Sequence, residues 1–232
     1  MITVKIADIP IGIDNRYEHI ESISRDYITD ETPAFTVSVT DVDIECEREM
    51  AEDDYSPAYL ESIAVFRKIA ERLPEYDAIV FHSAVLLKDG KAYAFTAKSG
   101  TGKTTHTRLW ISEFGDDVRY INGDKPIVRI IDGVPYAFGT PWRGKEGYGS
   151  NESAPLAAIA LLERAERNSA QIIDSDGGVI RLMTQIHIPK DPVRAMSAMR
   201  VADRITSSVR FVELKCNMDK EAAHIAAQTI LT

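Results

Sequence analysis

Ser99-Gly100-Thr101-Gly102-Lys103-Thr104-Thr105, inside the stretch AFTAKSGTGKTTHTRLW from Ala94 to Trp110, has the residue types of a loop that cradles phosphate. Glycines let successive backbone N–H groups turn inward on an anion, a lysine reaches the terminal phosphates, and a Ser or Thr hydroxyl meets Mg²⁺. Gly100, Gly102, Lys103 and Thr104 supply these parts, and Ala97 stands where such loops usually open with glycine. Thr105 is either a further support of the anion site or a simple helix-start hydroxyl. His106 is expected on the surface of the following helix, without a catalytic role.

A metal-bound nucleotide needs an acid near the metal. Two carboxylates qualify: Asp124 in YINGDKPIV, and Glu163 at the end of the apolar run AAIALLE. Asp124 follows a short strand that begins soon after the helix of the loop, a connection tight enough to return it beside the loop. Glu163 opens the charged run ERAERN, which a surface turn explains, so Asp124 is the preferred metal ligand. Lys145 and the glycines of RGKEGYGSNES read as a substrate loop over the site, with an ordinary exposed loop as the equal alternative.

These residues need elements to position them. KAYAFTA, after the hairpin signal Asp89-Gly90, is the strand entering the loop, and KTTHTRLWISEF is the helix leaving it, ending at Gly115. AIVFHSAVLLK reads as the other strand of that hairpin. VRYING follows, then a second hairpin around Asp132-Gly133, then PLAAIALLE as a candidate central strand. Helices are expected near 177–187, 192–206 and 219–231, with the strand SVRFVELKC between the last two. The first third reads as β-rich, because ITVKIADIPIGI, HIESISRDYI and PAFTVSVTDVDIEC place apolar residues at alternate positions. Ser56-Pro57 opens a helix that runs to Pro74. The sum is an α/β fold with a mixed sheet, read as one domain over 1–232, with a β-rich part plus helix (1–74) and a nucleotide-binding core (75–232).

Composition narrows the class. With 232 residues, 44% hydrophobic and 27% charged, the chain is an ordinary globular protein. A net charge of -9 argues against nucleic acid as a partner. No membrane span or secretion signal is read, which points to the cytoplasm. The acid-rich stretch from Thr40 to Asp54 reads as a strand with a solvated face, or less simply as a docking surface for a basic partner. Cys46 and Cys216 lie in strand-like runs and read as buried free thiols.

The hairpin leading into Ser-Gly-x-Gly-Lys-Thr, the histidine upstream and the acid after the next strand resemble HPr kinase/phosphorylase and, more distantly, ATP-dependent phosphoenolpyruvate carboxykinase. The resemblance spans Ile79 to Gly149 and implies the mixed-sheet P-loop fold of that group. In those kinases a His-Gly pair before the loop helps form the catalytic site; Phe81-His82-Ser83 falls there, so His82 is a candidate for positioning or proton transfer, the alternative being a hydrogen-bonded histidine of a β-rich core. The family carries two adjacent aspartates, the second serving as acid or base, and this chain has Gly123-Asp124. The family's Arg-Gly motif matches Arg143-Gly144, but Pro141 stands where a metal-binding glutamate would be, which counts against a second metal contact and against reverse dephosphorylation. Carboxykinases are far longer and need further histidine and lysine ligands, so oxaloacetate chemistry is disfavoured.

The resemblance implies an ATP- and Mg²⁺-dependent phosphotransferase acting on a hydroxyl: a serine of a protein or peptide, or a small metabolite. The loop and Lys103 would hold ATP, and Thr104 and Asp124 would organise Mg²⁺. Asp124 with His82 would orient the acceptor, and Arg143 would steady the transferring group. A regulatory or chaperone module that binds ATP without transfer is the alternative, and a structural protein with an empty loop is a third. The family forms hexamers, which leaves a homo-oligomer open.

Overall fold

The computed structural model describes residues 1–232, with residues 175 and 176 described by their backbone alone. Strands β1 (Ile2–Ile6) and β2 (Ile9–Asp14) form a hairpin through Ala7 and Asp8, both at positive φ, and β2 is followed by α1 (Glu18–Ile23). Strand β3 (Phe35–Ser38) joins β2 in parallel, completing a three-stranded sheet. Helix α2 (Asp41–Met50) packs on α3 (Pro57–Arg72), which in turn packs on β3. Helix α3 starts as Ser56-Pro57 predicts: the Ser56 side chain accepts from Tyr59 N–H, and proline at the first position sacrifices no needed donor.

Two expected strands in this region are helices. HIESISRDYI forms α1 and a short 3₁₀ turn over Arg25–Tyr27, with Ile20 and Tyr27 buried. The stretch from Thr40 becomes α2 because Thr40 and Asp43 form a reciprocal capping box and the acids of the first turn suit the helix N-terminus. Local capping overrides the alternation of Val42, Ile44 and Cys46. One consequence is that Cys46 is exposed, whereas Cys216 is buried as expected.

The larger, nine-stranded sheet begins with β4 (Ala78–Val80), β5 (Ala84–Lys88) and β6 (Lys91–Thr96), followed by α4 (Lys103–Phe114) and β7 (Val118–Asn122). Strands β8 (Ile127–Ile131), β9 (Val134–Phe138), β10 (Ser153–Arg164) and β11 (Ser169–Ile173) come next, then helices α5 (Ser175–Met183) and α6 (Pro192–Ser208). Strand β12 (Arg210–Cys216) and helix α7 (Glu221–Ile230) complete the chain. The strand order is β4-β8-β9-β10-β6-β5-β7, with β12 against β10 and β11 against β12. Both Asp-Gly signals form hairpins, β5–β6 and β8–β9.

AIVFHSAVLLK is not one strand. Strand β4 pairs with β8, β5 pairs with β6 and β7, and the chain leaves one ladder for the other at Phe81-His82-Ser83. The freed backbone groups are satisfied elsewhere: His82 N–H donates to the Gln185 carbonyl at 2.7 Å and Ser83 N–H to the Asp124 carbonyl at 3.1 Å.

Strand β6 is antiparallel to β5 but parallel to β10, and β10 is parallel to β12. The glycine loop therefore leaves the carboxyl end of a buried strand with a parallel neighbour, although the chain reaches that strand through a hairpin. Apolar faces of the sheet are covered by α5 and α6 on one side and by α4 and α7 on the other. A third core joins the N-terminal sheet and α3 to Val80, Ile127, Phe138 and Trp142. Among the described residues no helix is long and apolar enough to cross a membrane.

Candidate active site

The loop after β6 takes its shape from two glycines, Gly100 at φ 76° and Gly102 at φ 122°. Side chains with a Cβ rarely adopt these values. Arg164, at the end of β10, donates Nε–H to the Thr101 carbonyl at 2.9 Å and Nη2–H to the Gly100 carbonyl. Two loop carbonyls are thus held by a cation. The first helical bond of α4 runs from His106 N–H to the Gly102 carbonyl at 2.9 Å. The N–H groups of Lys103, Thr104 and Thr105 have no carbonyl a turn ahead to receive them, so the helix start presents donors and a partial positive charge.

Lys103 is buried, and its Nζ lies 3.2 Å from both the Ala97 carbonyl and His82 Nε2. Desolvation lowers its pKa, with the Asp124 charge opposing. His82 Nε2 is also 3.3 Å from Asp124 Oδ1. That nitrogen either donates to Asp124 or accepts from Lys103, so one proton position serves two neighbours. Asp124 Oδ2 pairs with Lys125 Nζ at 3.0 Å. Burial opposes ionisation of Asp124, but the hydrogen bond from His82 and the Lys125 ammonium outweigh it and hold the carboxyl well below its usual range.

Fully buried Asn122 fixes this carboxylate. Its Oδ1 accepts from the N–H groups of Asp124 (2.8 Å) and Lys125 (2.7 Å), and its Nδ2 donates to Thr140 Oγ1 (3.0 Å). Over the turn lies the 143–149 segment. A Cβ on Gly144, at φ 73°, would stand 2.8 Å from Asp124 Cβ, and one on Gly123 would stand 3.1 Å from the Tyr148 carbonyl. Gly123 N–H donates to that same carbonyl at 2.8 Å. Backbone thus fills the space beside Gly123.

A cleft of about 620 Å³ gathers His82, Ser99, Gly100, Gly102, Lys103, Thr104, Thr105, Asp124 and Arg143. Of the residues selected from sequence, Thr101 alone lies off this cleft, facing neighbouring ones. Arg143 is held from the N-terminal part of the chain: its Nη2 donates to Asp26 Oδ2 at 3.3 Å. Glu163 pairs with Arg181 at 2.9 Å and lines a different cleft. His106 does not point along the helix surface. It is 2% exposed, accepts from Trp110 Nε1 at 3.0 Å, and packs on Phe95, and burial lowers its pKa to about 4.

Three contributors escape the sequence reading, Asn122, Lys125 and Arg164, while the segment RGKEGYGSNES, expected either as a loop over the site or as an exposed loop, lines the cleft and is pinned as a strap to Arg108 through Glu146 and Tyr148. Arg108 Nη2 donates to Glu146 Oε2 at 2.7 Å, and Tyr148 stacks on Tyr120 with centroids 4.7 Å apart. Asn two residues before Asp124 carried a usable signal, since its side chain commonly caps the backbone two residues on. Arg164 carried none.

Among the described residues no cluster of three or more His, Cys, Asp or Glu is suited to a metal ion. Thr104 and Asp124 are oxygen donors, the kind that Mg²⁺ takes when it keeps several waters and binds phosphate oxygens. The donor set fits a cation arriving with a nucleotide and not a protein-caged one.

No protein-family model matches the chain, and no curated protein does. Among solved structures the chain is similar to the Hpr(Ser) kinase/phosphatase from Coxiella burnetii, with 7% identity and a TM-score of 0.36, over 64% of this chain and 94% of that one. At that distance no residue role is carried across.

Proposed function

We propose that this protein is an ATP- and Mg²⁺-dependent phosphotransferase that moves a terminal phosphoryl group to a hydroxyl of a protein, peptide or small molecule. The observation that carries the reading is the unbroken contact line Lys103–His82–Asp124 at the mouth of the glycine loop. A structural loop has no need of a buried lysine, a histidine and an ionised carboxylate in sequence.

The loop N–H groups and Lys103 bind the phosphate chain. Thr104 and Asp124 would hold Mg²⁺, whose charge would neutralise the phosphates. In the step itself the bond from the terminal phosphorus to its bridging oxygen breaks, a bond to the acceptor oxygen forms, and the nucleoside diphosphate leaves. The acceptor proton passes to His82, which Asp124 orients. With so low a pKa, Asp124 is a better orienting group than a base. A loose phosphoryl-transfer transition state asks for little more, since the acceptor proton need not leave early. Arg143, freed from Asp26, offers a planar fork to the transferring oxygens.

Incubation with γ-labelled ATP, Mg²⁺ and cell extract tests this. The wild-type protein is expected to label an acceptor, and Asp124→Asn to bind nucleotide while transferring at most about 1% as fast. Binding without transfer by either protein favours the regulatory reading, which the glycine at 123 and the proline at 141 motivate.

A further inference from the structure

Beyond the phosphate cleft, on the other side of the start of α4, lies a second cavity of about 380 Å³. Its walls include Leu162, Arg164 and Ala165 at the end of β10, Cys216, Asn217 and Met218 at the end of β12, and His106 in α4. Thr101, Gly102 and Thr105 of the loop line it too, so it is continuous with the phosphate site. We infer that this cavity receives the base and ribose of a nucleoside triphosphate whose phosphates lie on the loop, an inference that rests on the function proposed above.

Direction comes first. The terminal phosphate belongs beside Lys103 and Asp124. The free N–H groups then lead the chain across the helix start to Thr105, and the cavity opens there. It lies at the carboxyl ends of the parallel strands β10 and β12, where crevices in α/β sheets commonly take ligands.

Chemistry agrees. The walls are mainly apolar, as a base slot requires, and the volume suits a small ligand. Met218 is 78% exposed, a flexible apolar side chain at the rim with nothing yet to cover. The wall after β12 is already rigid: Asn217 Oδ1 accepts from Asp219 N–H at 2.9 Å, and its Nδ2 donates to Asp219 Oδ2 at 2.8 Å. His106 adds a second, independent sign. Its Nε2 accepts from Trp110, which places the proton of the neutral ring on Nδ1, and buried Nδ1 has no partner. A buried donor without an acceptor is costly, and it belongs to a residue that lines this cavity.

The test compares Mg·ATP with inorganic tripolyphosphate, which shares the phosphates and lacks the nucleoside. Calorimetry on the full chain should show Ala165→Trp weakening ATP binding at least tenfold while tripolyphosphate affinity stays within twofold. Met218→Ala, a surface change that leaves folding intact, should cost ATP about fivefold and tripolyphosphate nothing. ATP affinity unchanged in both variants, or ATP and tripolyphosphate weakened equally, would overturn the cavity assignment. Failure of the wild-type protein to bind either ligand would overturn the phosphate reading beneath it.

Discussion

His82 and Asp124 meet side chain to side chain, Nε2 to Oδ1 at 3.3 Å, although they arrive from different elements. His82 sits at the break between β4 and β5, and Asp124 follows β7. The backbone repeats the junction one residue on, where Ser83 N–H donates to the Asp124 carbonyl at 3.1 Å. Two strands are stitched at the point where the chemistry is proposed to occur. His82→Ala removes a hydrogen bond that lowers the Asp124 pKa, which should rise toward the ordinary 3.8 in a carboxyl NMR titration. Phosphoryl transfer should fall by about 100-fold, with the KM for ATP changed less than about threefold. An unmoved Asp124 titration would show that the contact does not govern that carboxylate.

The same carboxylate predicts an acid response. Its folded pKa is depressed, so the stability it contributes is full above the unfolded value of 3.8 and disappears as pH falls through the folded value. Urea unfolding of wild type and Asp124→Asn should therefore differ by a constant amount at neutral pH, and the difference should shrink below about pH 4. A difference that grew on acidification would contradict this.

His106 acts at a different pH. Burial lowers its pKa from 6.5 to about 4, so the unfolded chain binds a proton in this interval and the folded chain does not. Stability should fall as pH drops from 6.5 to about 4 and level off below. Two and a half pH units make the total on the order of 3 kcal/mol. His106→Gln keeps an acceptor for Trp110 and cannot titrate, so unfolding midpoints measured across this range should lose that slope.

Gly123 is a position where the packing forbids a side chain. Gly123→Asp would place a second carboxylate beside Asp124. Its Cβ would meet the Tyr148 carbonyl at 3.1 Å and the Arg143 carbonyl at 3.3 Å, both backbone atoms. The strap must shift, and a carboxylate is set against carbonyl oxygens. A loss of about 2–4 kcal/mol in chemical denaturation is expected, with lower transfer activity. Wild-type stability with raised activity would show that the strap yields easily.

The unit of β6, loop and α4 is legible in the sequence because each of its constraints is local: an Asp-Gly hairpin before it, glycines where φ is positive, and a helix stop at Gly115. Return of Asp124 to the loop is legible for the same reason, through one short strand. Helix α2 is not, because Val42, Ile44 and Cys46 alternate as a strand does and only the Thr40–Asp43 cap decides against it. Burial of His106 depends on Phe95 of β6 meeting it across the sheet–helix interface, and the grip of Arg164 on the loop depends on β10 lying parallel to β6. Such contacts cross from one element to another, and no spacing within an element announces them.

Calorimetric titration of the wild-type protein and Lys103→Ala with Mg·ATP bears most directly on the central claim, that the loop holds nucleotide phosphates through Lys103. One-to-one binding by the wild type and a loss of about 100-fold or more in the variant, from removal of a buried charge partner, are predicted. No binding by the wild type, or equal binding by both proteins, would contradict it.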